Sequence, residues 1–279
     1  MSSIAEPAGV IRSLLICLSC LIAFGQDAFA EMLARTVTHD GKERTYHLTA
    51  PKTSPGEKLP LVVALHFYPG SGRAMADLTG FSALAEREGF LVAYPDGLNG
   101  GFNALMCCGA EDDVGFIRAV IEDIGKAYAV DADRTYATGI SNGGDLTYRL
   151  AAELPGVFAA IAPVSGGMSA DWIKMPSGNL PAEPTSLIAF HGKRDRYESA
   201  FAAGVAFWLE QRKCETAAST AEGVALRTGH CADGSAVAVY ELPEMSHAWP
   251  GGSGGMGYAP SPVNATELIW AFFRDHPRP

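Results

Sequence analysis

Leu61-Val-Val-Ala-Leu-His66 is apolar at both odd and even positions, so a strand made from it has no face to give to water. Such a strand needs cover on both sides, which is the environment of parallel strands joined by crossover helices. The same kind of unit recurs along the chain. A helical pattern over Phe81 to Glu88 precedes a strand over Phe90 to Tyr94, and a helix follows over Asp112 to Ala127. That helix carries Asp112 and Asp113 in its first turn, where they complement the macrodipole, and Ile117, Val120, Ile121 and Ile124 at one-face spacing. A strand over Arg134 to Thr138, a helix over Asp145 to Glu153 and strands over Phe158 to Val164 and Leu187 to Phe190 come next. A helix over Ser199 to Lys213, a strand over Ala236 to Leu242 and a last helix capped at Asn264, with Glu267 three residues on, complete the series. This alternation predicts an α/β fold with a mainly parallel twisted sheet and helices on both faces. Upstream, Arg35 to His39 and Arg44 to Leu48 flank Asp40-Gly41, a pair that favours a tight hairpin turn, so the chain opens on antiparallel strands.

Residues 1–30 stand apart from this pattern. Ser13 to Phe24 is an unbroken apolar-to-neutral run after Arg12, and Ala28-Phe29-Ala30 follows it, the layout of a secretory leader with its cleavage site. About 12 residues cannot cross a hydrocarbon core of ~30 Å, so stable membrane insertion is not expected; a lipid anchor on Cys20 is the rival. The expected division is a leader over 1–30 and one catalytic-sized domain over 31–279, secreted or periplasmic. The 31 acidic against 21 basic residues, a net charge of -10, would repel a phosphate backbone and argue against nucleic acid as a partner. Outside the leader remain Cys107, Cys108, Cys214 and Cys231, which in an exported chain read as disulfides. Cys214 and Cys231 flank a polar Ala- and Thr-rich stretch that a bridge would close as a surface loop. The adjacent Cys107 and Cys108 are either bonded to each other or free. No Cys-x-x-Cys spacing supports a zinc site built from these thiols and His230, and no metal is expected.

Gly139-Ile140-Ser141-Asn142-Gly143 has a strand before it and a helix after it. That is the setting of a nucleophile elbow, in which glycines let the backbone turn sharply enough to hold a serine hydroxyl clear of the sheet. Gly251-Gly252-Ser253-Gly254-Gly255 fits the same pattern, but no comparable strand leads into Ser253 and no helix directly follows, so it reads as a loop. A serine is a weak nucleophile until a base takes its proton, and the base needs a carboxylate to orient it. Asp195 lies just beyond the apolar strand Leu187 to Phe190, at the sheet edge where open α/β sheets bind ligands. Asp171 and Asp233 compete less well, since no strong strand leads directly into either. His247 follows the strand Ala236 to Leu242 and precedes the last helix; His230 is its competitor. The two donors that would hold a tetrahedral oxyanion are expected from the backbone of Asn142, after the nucleophile, and of Tyr68, or else Phe67, in the loop His66 to Gly72.

These segments together resemble one family. The runs Leu61 to His66, Cys107-Cys108-Gly109 with Asp112 to Phe116 after it, Gly139 to Gly144, His191-Gly192 with Asp195, and Ser246 to Gly252 are similar to those of the esterase/polyhydroxybutyrate depolymerase family. Those are α/β-hydrolases related to feruloyl and acetylxylan esterases of carbohydrate esterase family one. The resemblance implies Ser141 as nucleophile, Asp195 as acid, His247 as base, Trp249 as an apolar wall for the substrate, and no cofactor. Family members usually have glycine where this chain has Phe67, which would narrow the loop after the histidine. The implied activity is hydrolysis of hydroxyalkanoate, feruloyl or acetyl esters, with a serine peptidase or a non-catalytic polymer-binding protein as rivals. Residues 31–279 leave no length for a separate polymer-binding module, so soluble or small esters are expected.

Overall fold

The computed structural model describes residues 1–2, 32–52, 56–104, 106–168, 180, 183–253 and 258–279. The leader expected over 1–30, and Asp171, lie outside the described residues, apart from residues 1 and 2. Strands β1 (Leu33–His39) and β2 (Lys42–Thr49) form the expected hairpin, with Asp40 and Gly41 both at positive φ in the turn. The chain then runs β3 (Leu59–Leu65), α1 (Gly72–Thr79), α2 (Phe81–Glu88), β4 (Leu91–Pro95), α3 (Asp113–Ala127), β5 (Val130–Ile140) and α4 (Asn142–Glu153). It continues through β6 (Ala160–Val164), β7 (Ser186–Gly192), α5 (Glu198–Gln211), β8 (Glu215–Ala221), β9 (Val224–His230) and β10 (Ala236–Leu242). The short strands β11 (Trp249–Pro250) and β12 (Tyr258–Ala259) and helix α6 (Ala265–Asp275) close it.

The ten-stranded sheet has the order β1-β2-β4-β3-β5-β6-β7-β10-β9-β8. Its six middle strands, β4 to β10 in that order, are mutually parallel, and the two outer pairs are antiparallel. This is the α/β-hydrolase fold.

Strand β3 shows why both of its faces had to be apolar. Leu61, Val63 and Leu65 pack into one core layer with Ile117 and Val120 of α3 and Leu146 and Leu150 of α4. Val62 and Ala64 point the other way, to Met75 of α1, Phe81 of α2 and Phe273 of α6. Each such leucine, valine, isoleucine, methionine or phenylalanine stabilises the fold by roughly 1.5–3 kcal/mol when fully buried.

Within the fold, the structure departs from the sequence reading in two places. Helix α1 was not foreseen: Ser71 caps it through a bond from Ala74 N–H, and its 8 residues are too few for the buried Met75, Ala76 and Leu78 to show a period. The segment between Cys214 and Cys231 is the hairpin β8–β9, which extends the sheet by two strands, rather than an irregular loop. Its alanines, serine and threonines carry too little bulk for alternation to show, and Glu222 and Gly223, both at positive φ, make its turn. The disulfide Cys214–Cys231 closes this hairpin at its open end. Cys107 and Cys108 are bonded to each other, which settles the alternative left open above.

Candidate active site

Five of the parallel strands end beside one cleft, and each delivers a group there. Strand β5 ends at Ile140, and Ser141 turns the chain into α4 with φ 56 and ψ -123, a conformation that L-residues rarely hold. Its own N–H donates to Val164 O at 3.0 Å, and its carbonyl accepts from Asp145 N–H at 2.8 Å, so the strained residue is fixed on both sides. The glycines around it let backbone pass backbone. A Cβ on Gly139 would sit 2.5 Å from the carbonyl carbon of Gly143, and one on Gly143 would sit 2.2 Å from Leu65 O.

Asn142 is the first residue of α4, where helix N–H groups have no partner within the helix, and it lies next to Ser141. Its side chain has a second role. Oδ1 accepts from Phe102 N–H at 2.8 Å and Nδ2 donates to Phe102 O at 2.9 Å and Cys107 O at 3.4 Å, which fastens the vicinal disulfide loop to the elbow. His66, after β3, is fully buried and plays a similar part in the facing loop. Its Nδ1 donates to Phe67 O at 2.7 Å, and its Nε2 accepts from Gly97 N–H at 2.9 Å. Burial lowers its pKa, so it stays neutral and can serve both bonds at once. The loop it shapes carries Phe67 and Tyr68 to the cleft edge.

Asp195 and His247 come from loops after β7 and β10, neighbours in the sheet. The two loops run backbone to backbone: Lys193 N–H donates to Leu242 O at 2.9 Å and Arg194 N–H to Met245 O at 3.0 Å. Gly192 makes this approach possible, since a Cβ there would lie 2.0 Å from Met245 O. Asp195 Oδ2 accepts from His247 Nδ1 at 2.6 Å, and Oδ1 accepts from Tyr197 N–H at 3.0 Å. Burial alone would push the Asp195 carboxyl up, but the bonds from His247 and Tyr197 N–H outweigh it and hold the pKa below the usual value. The imidazole is thereby held with one nitrogen on a carboxylate and the rest of its ring one third exposed towards the cleft.

The cleft has a volume of about 560 Å³ and takes in Ser141, His247, Phe67 and Tyr68 together. Met106, the disulfide Cys107–Cys108, Tyr197 and Phe201 make most of the remaining wall, with Arg196 at its rim and Asp145 and Ser165 deeper in. Trp249 is not part of it, a correction to the expectation drawn from the resemblance. Its ring is fully buried, packs edge-on against Phe81, and donates its N–H to Thr266 Oγ1 at 3.0 Å, so it belongs to the core beneath α1 and α6. Phe102 is also buried, its ring tilted against that of His66 with centres 4.5 Å apart. Sequence reasoning missed Tyr197, Phe201, Arg196 and Asp145. The first three follow Asp195 in its loop and helix without any motif, and Asp145 was visible only as the residue after Gly143-Gly144.

Comparisons with known proteins bear on the family and the fold. The family model described as Esterase PHB depolymerase matches residues 44–173, so the resemblance read from the motifs is borne out. Among curated proteins, the putative esterase NocK of Nocardia uniformis subsp. tsuyamanensis is 34% identical over 175 residues, 60% of this chain and 50% of that protein. Feruloyl esterase B of Piromyces equi is 31% identical over 52% of this chain and 28% of its own length. Poly(3-hydroxyalkanoate) depolymerase C of Paucimonas lemoignei is 32% identical over 39% of this chain and 28% of its own. The matched region thus spans half or less of each of these three relatives. Among solved structures, the acetyl xylan esterase from Aspergillus awamori superposes with a TM-score of 0.66 over 87% of this chain and 99% of that one, at 16% identity, a likeness of fold.

Proposed function

We propose that this chain is a serine carboxylesterase. Ser141 Oγ attacks the ester carbonyl while His247 takes its proton. The tetrahedral intermediate collapses as His247 returns that proton to the departing alcohol. Water, deprotonated by the same imidazole, then releases the acid from the acyl-serine. Asp195 holds the ring and stabilises its charged form. The backbone N–H groups of Asn142 and Tyr68 are the proposed donors to the oxyanion. The observation that carries the reading is the 2.6 Å bond from His247 to the buried Asp195 at the wall of the cleft into which the elbow presents Ser141. These residues need no metal or organic cofactor for this chemistry.

The four aromatic rings of Phe67, Tyr68, Tyr197 and Phe201 and the vicinal disulfide suit an apolar or aromatic acyl group, and Tyr68 and Tyr197 at the mouth are 49% and 45% exposed, a ready contact for the rest of a large ester. Hydroxyalkanoate, feruloyl and acetylated polysaccharide esters are therefore the substrate classes we propose. Export is proposed from the leader pattern over 1–30 and from two disulfides, which persist in oxidising compartments. Among the described residues no helix is long and apolar enough to cross a membrane.

The test is turnover of 4-nitrophenyl acetate, 4-nitrophenyl butyrate and methyl ferulate by the wild type, beside Ser141→Ala and Ser253→Ala. Loss in Ser141→Ala alone is expected. A folded wild type with no activity on any ester would overturn the reading, and cleavage of the matching anilide instead would make it an amidase.

A further inference from the structure

The cleft contains a carboxyl group that the proposed chemistry does not use. Asp145 stands one turn along α4 from Ser141 and lines the same wall, only 8% exposed. Its Oδ1 accepts from Gly167 N–H at 2.8 Å, and among the described residues it has neither another hydrogen-bond donor nor any cation to pair with. The titratable groups that share the cleft are His247, already committed to Asp195, Arg196, and the phenols of Tyr68 and Tyr197. A buried acid without a cation is costly to a fold, and burial pushes this one up to about 7. Satisfying Gly167 N–H alone would not call for an acid, because a neutral amide oxygen would do it as well.

We infer that Asp145 selects esters carrying a hydrogen-bond donor, a hydroxyl or an ammonium, close to the scissile bond, and that its second carboxyl oxygen accepts from that donor. The inference rests on the esterase reading and sharpens it. It predicts that a hydroxylated ester outcompetes its deoxy counterpart, because the counterpart would bury the carboxyl with nothing to bond.

Matched pairs test this. They are 4-nitrophenyl 3-hydroxybutyrate against 4-nitrophenyl butyrate, methyl 4-hydroxycinnamate against methyl cinnamate, and 2-hydroxyethyl butyrate against ethyl butyrate. The first two place the hydroxyl in the acyl half and the third in the alcohol half. 4-Nitrophenyl 4-aminobutyrate supplies the ammonium arm. The wild type is expected to favour the donor-bearing member of at least one pair by about 10- to 100-fold in kcat/KM. Asp145→Asn keeps an oxygen for Gly167 N–H but turns a donor towards the cleft, and it is expected to abolish or reverse that preference. Should Asp145→Asn fail to fold, Asp145→Ser and competitive inhibition of the wild type by 3-hydroxybutyrate against butyrate read the same preference. Turnover without preference in any pair or arm, or a preference unchanged in Asp145→Asn, overturns the inference alone. No turnover of any ester removes the esterase reading and this inference together.

Discussion

Two segments of this molecule carry the same pattern, Gly139 to Gly143 and Gly251 to Gly255, and they are built for different ends. Ser141 is reached by an eleven-residue strand hydrogen-bonded on both sides, and a twelve-residue helix leaves from it. Ser253 follows a two-residue strand, donates its hydroxyl to Asp77 O, and donates its N–H to Leu78 O at 2.9 Å, so its polar groups tie its loop to the end of α1. The pattern records where the backbone can turn sharply. What suits it to the proposed chemistry is its place at the carboxyl end of a central parallel strand, with the proposed acid and base carried by loops after strands farther along the sheet.

The largest expected effects break this comparison directly. Ser141→Ala should lower kcat/KM for 4-nitrophenyl butyrate by about 10⁴-fold or more, and Asp195→Asn by about 10⁴-fold, since the amide can hold the imidazole in the wrong tautomer. Thermal melts of both variants should stay close to the wild type, which separates lost chemistry from lost fold.

Gly143→Ala comes next. Its Cβ would fall 2.2 Å from Leu65 O, a backbone atom of the central strand, whereas a Cβ on Gly252 would meet Leu78 O at 2.9 Å in the second loop. Gly143→Ala should cost about 1–3 kcal/mol in denaturant unfolding and at least tenfold in activity, while Gly252→Ala should leave activity largely intact. Equal activity losses in the two would mean that the loops are not different in kind.

Asp145 supplies a pH test with no counterpart in the second loop. Its pKa is raised by burial from 3.8 to about 7, so the folded state binds an extra proton between those values and this contribution to stability falls as pH rises through that window. Buried His66 and His191 act oppositely: their pKa values are lowered by burial, and their contribution is lost as pH falls below about 6.5. The difference between wild type and Asp145→Asn isolates the first effect, and the variant should gain up to a few kcal/mol at pH 8 relative to pH 4. A pH-independent difference would show that Asp145 does not titrate in this range. The smallest change is expected from Ser253→Ala, within about twofold of wild-type activity; a larger loss would give the second loop a part in the reaction.

Much of this was legible in advance because it is local. Burial on both faces of Leu61 to Leu65, the turn at Asp40-Gly41, the cap at Asn264 and the glycines around Ser141 are short-range consequences of residue type, and the chain states them within a few residues. The hairpin β8–β9 was not legible, since the alanines, serine and threonines of β8 fit either face of a strand, and helix α1 was not, since its 8 residues span barely two turns. The Ala217–Thr228 and Ala218–Arg227 pairings acquire meaning only once β10 is there to receive β9.

By itself, the sequence determined the strand-turn-helix that strains Ser141, the order of serine, acid and histidine, and the parallel core that must carry them. Only the tertiary structure decided which side chains meet. It joined Asp195 to His247 across 52 residues through the pairing of β7 with β10, turned Trp249 into the core by giving its indole N–H to Thr266, and left Asp145 facing the cleft with no cation beside it among the described residues. The physical reason is range. Backbone conformation and burial preference are set by neighbours along the chain, while the partner of a buried polar group is set by whichever element the sheet order brings within hydrogen-bonding distance.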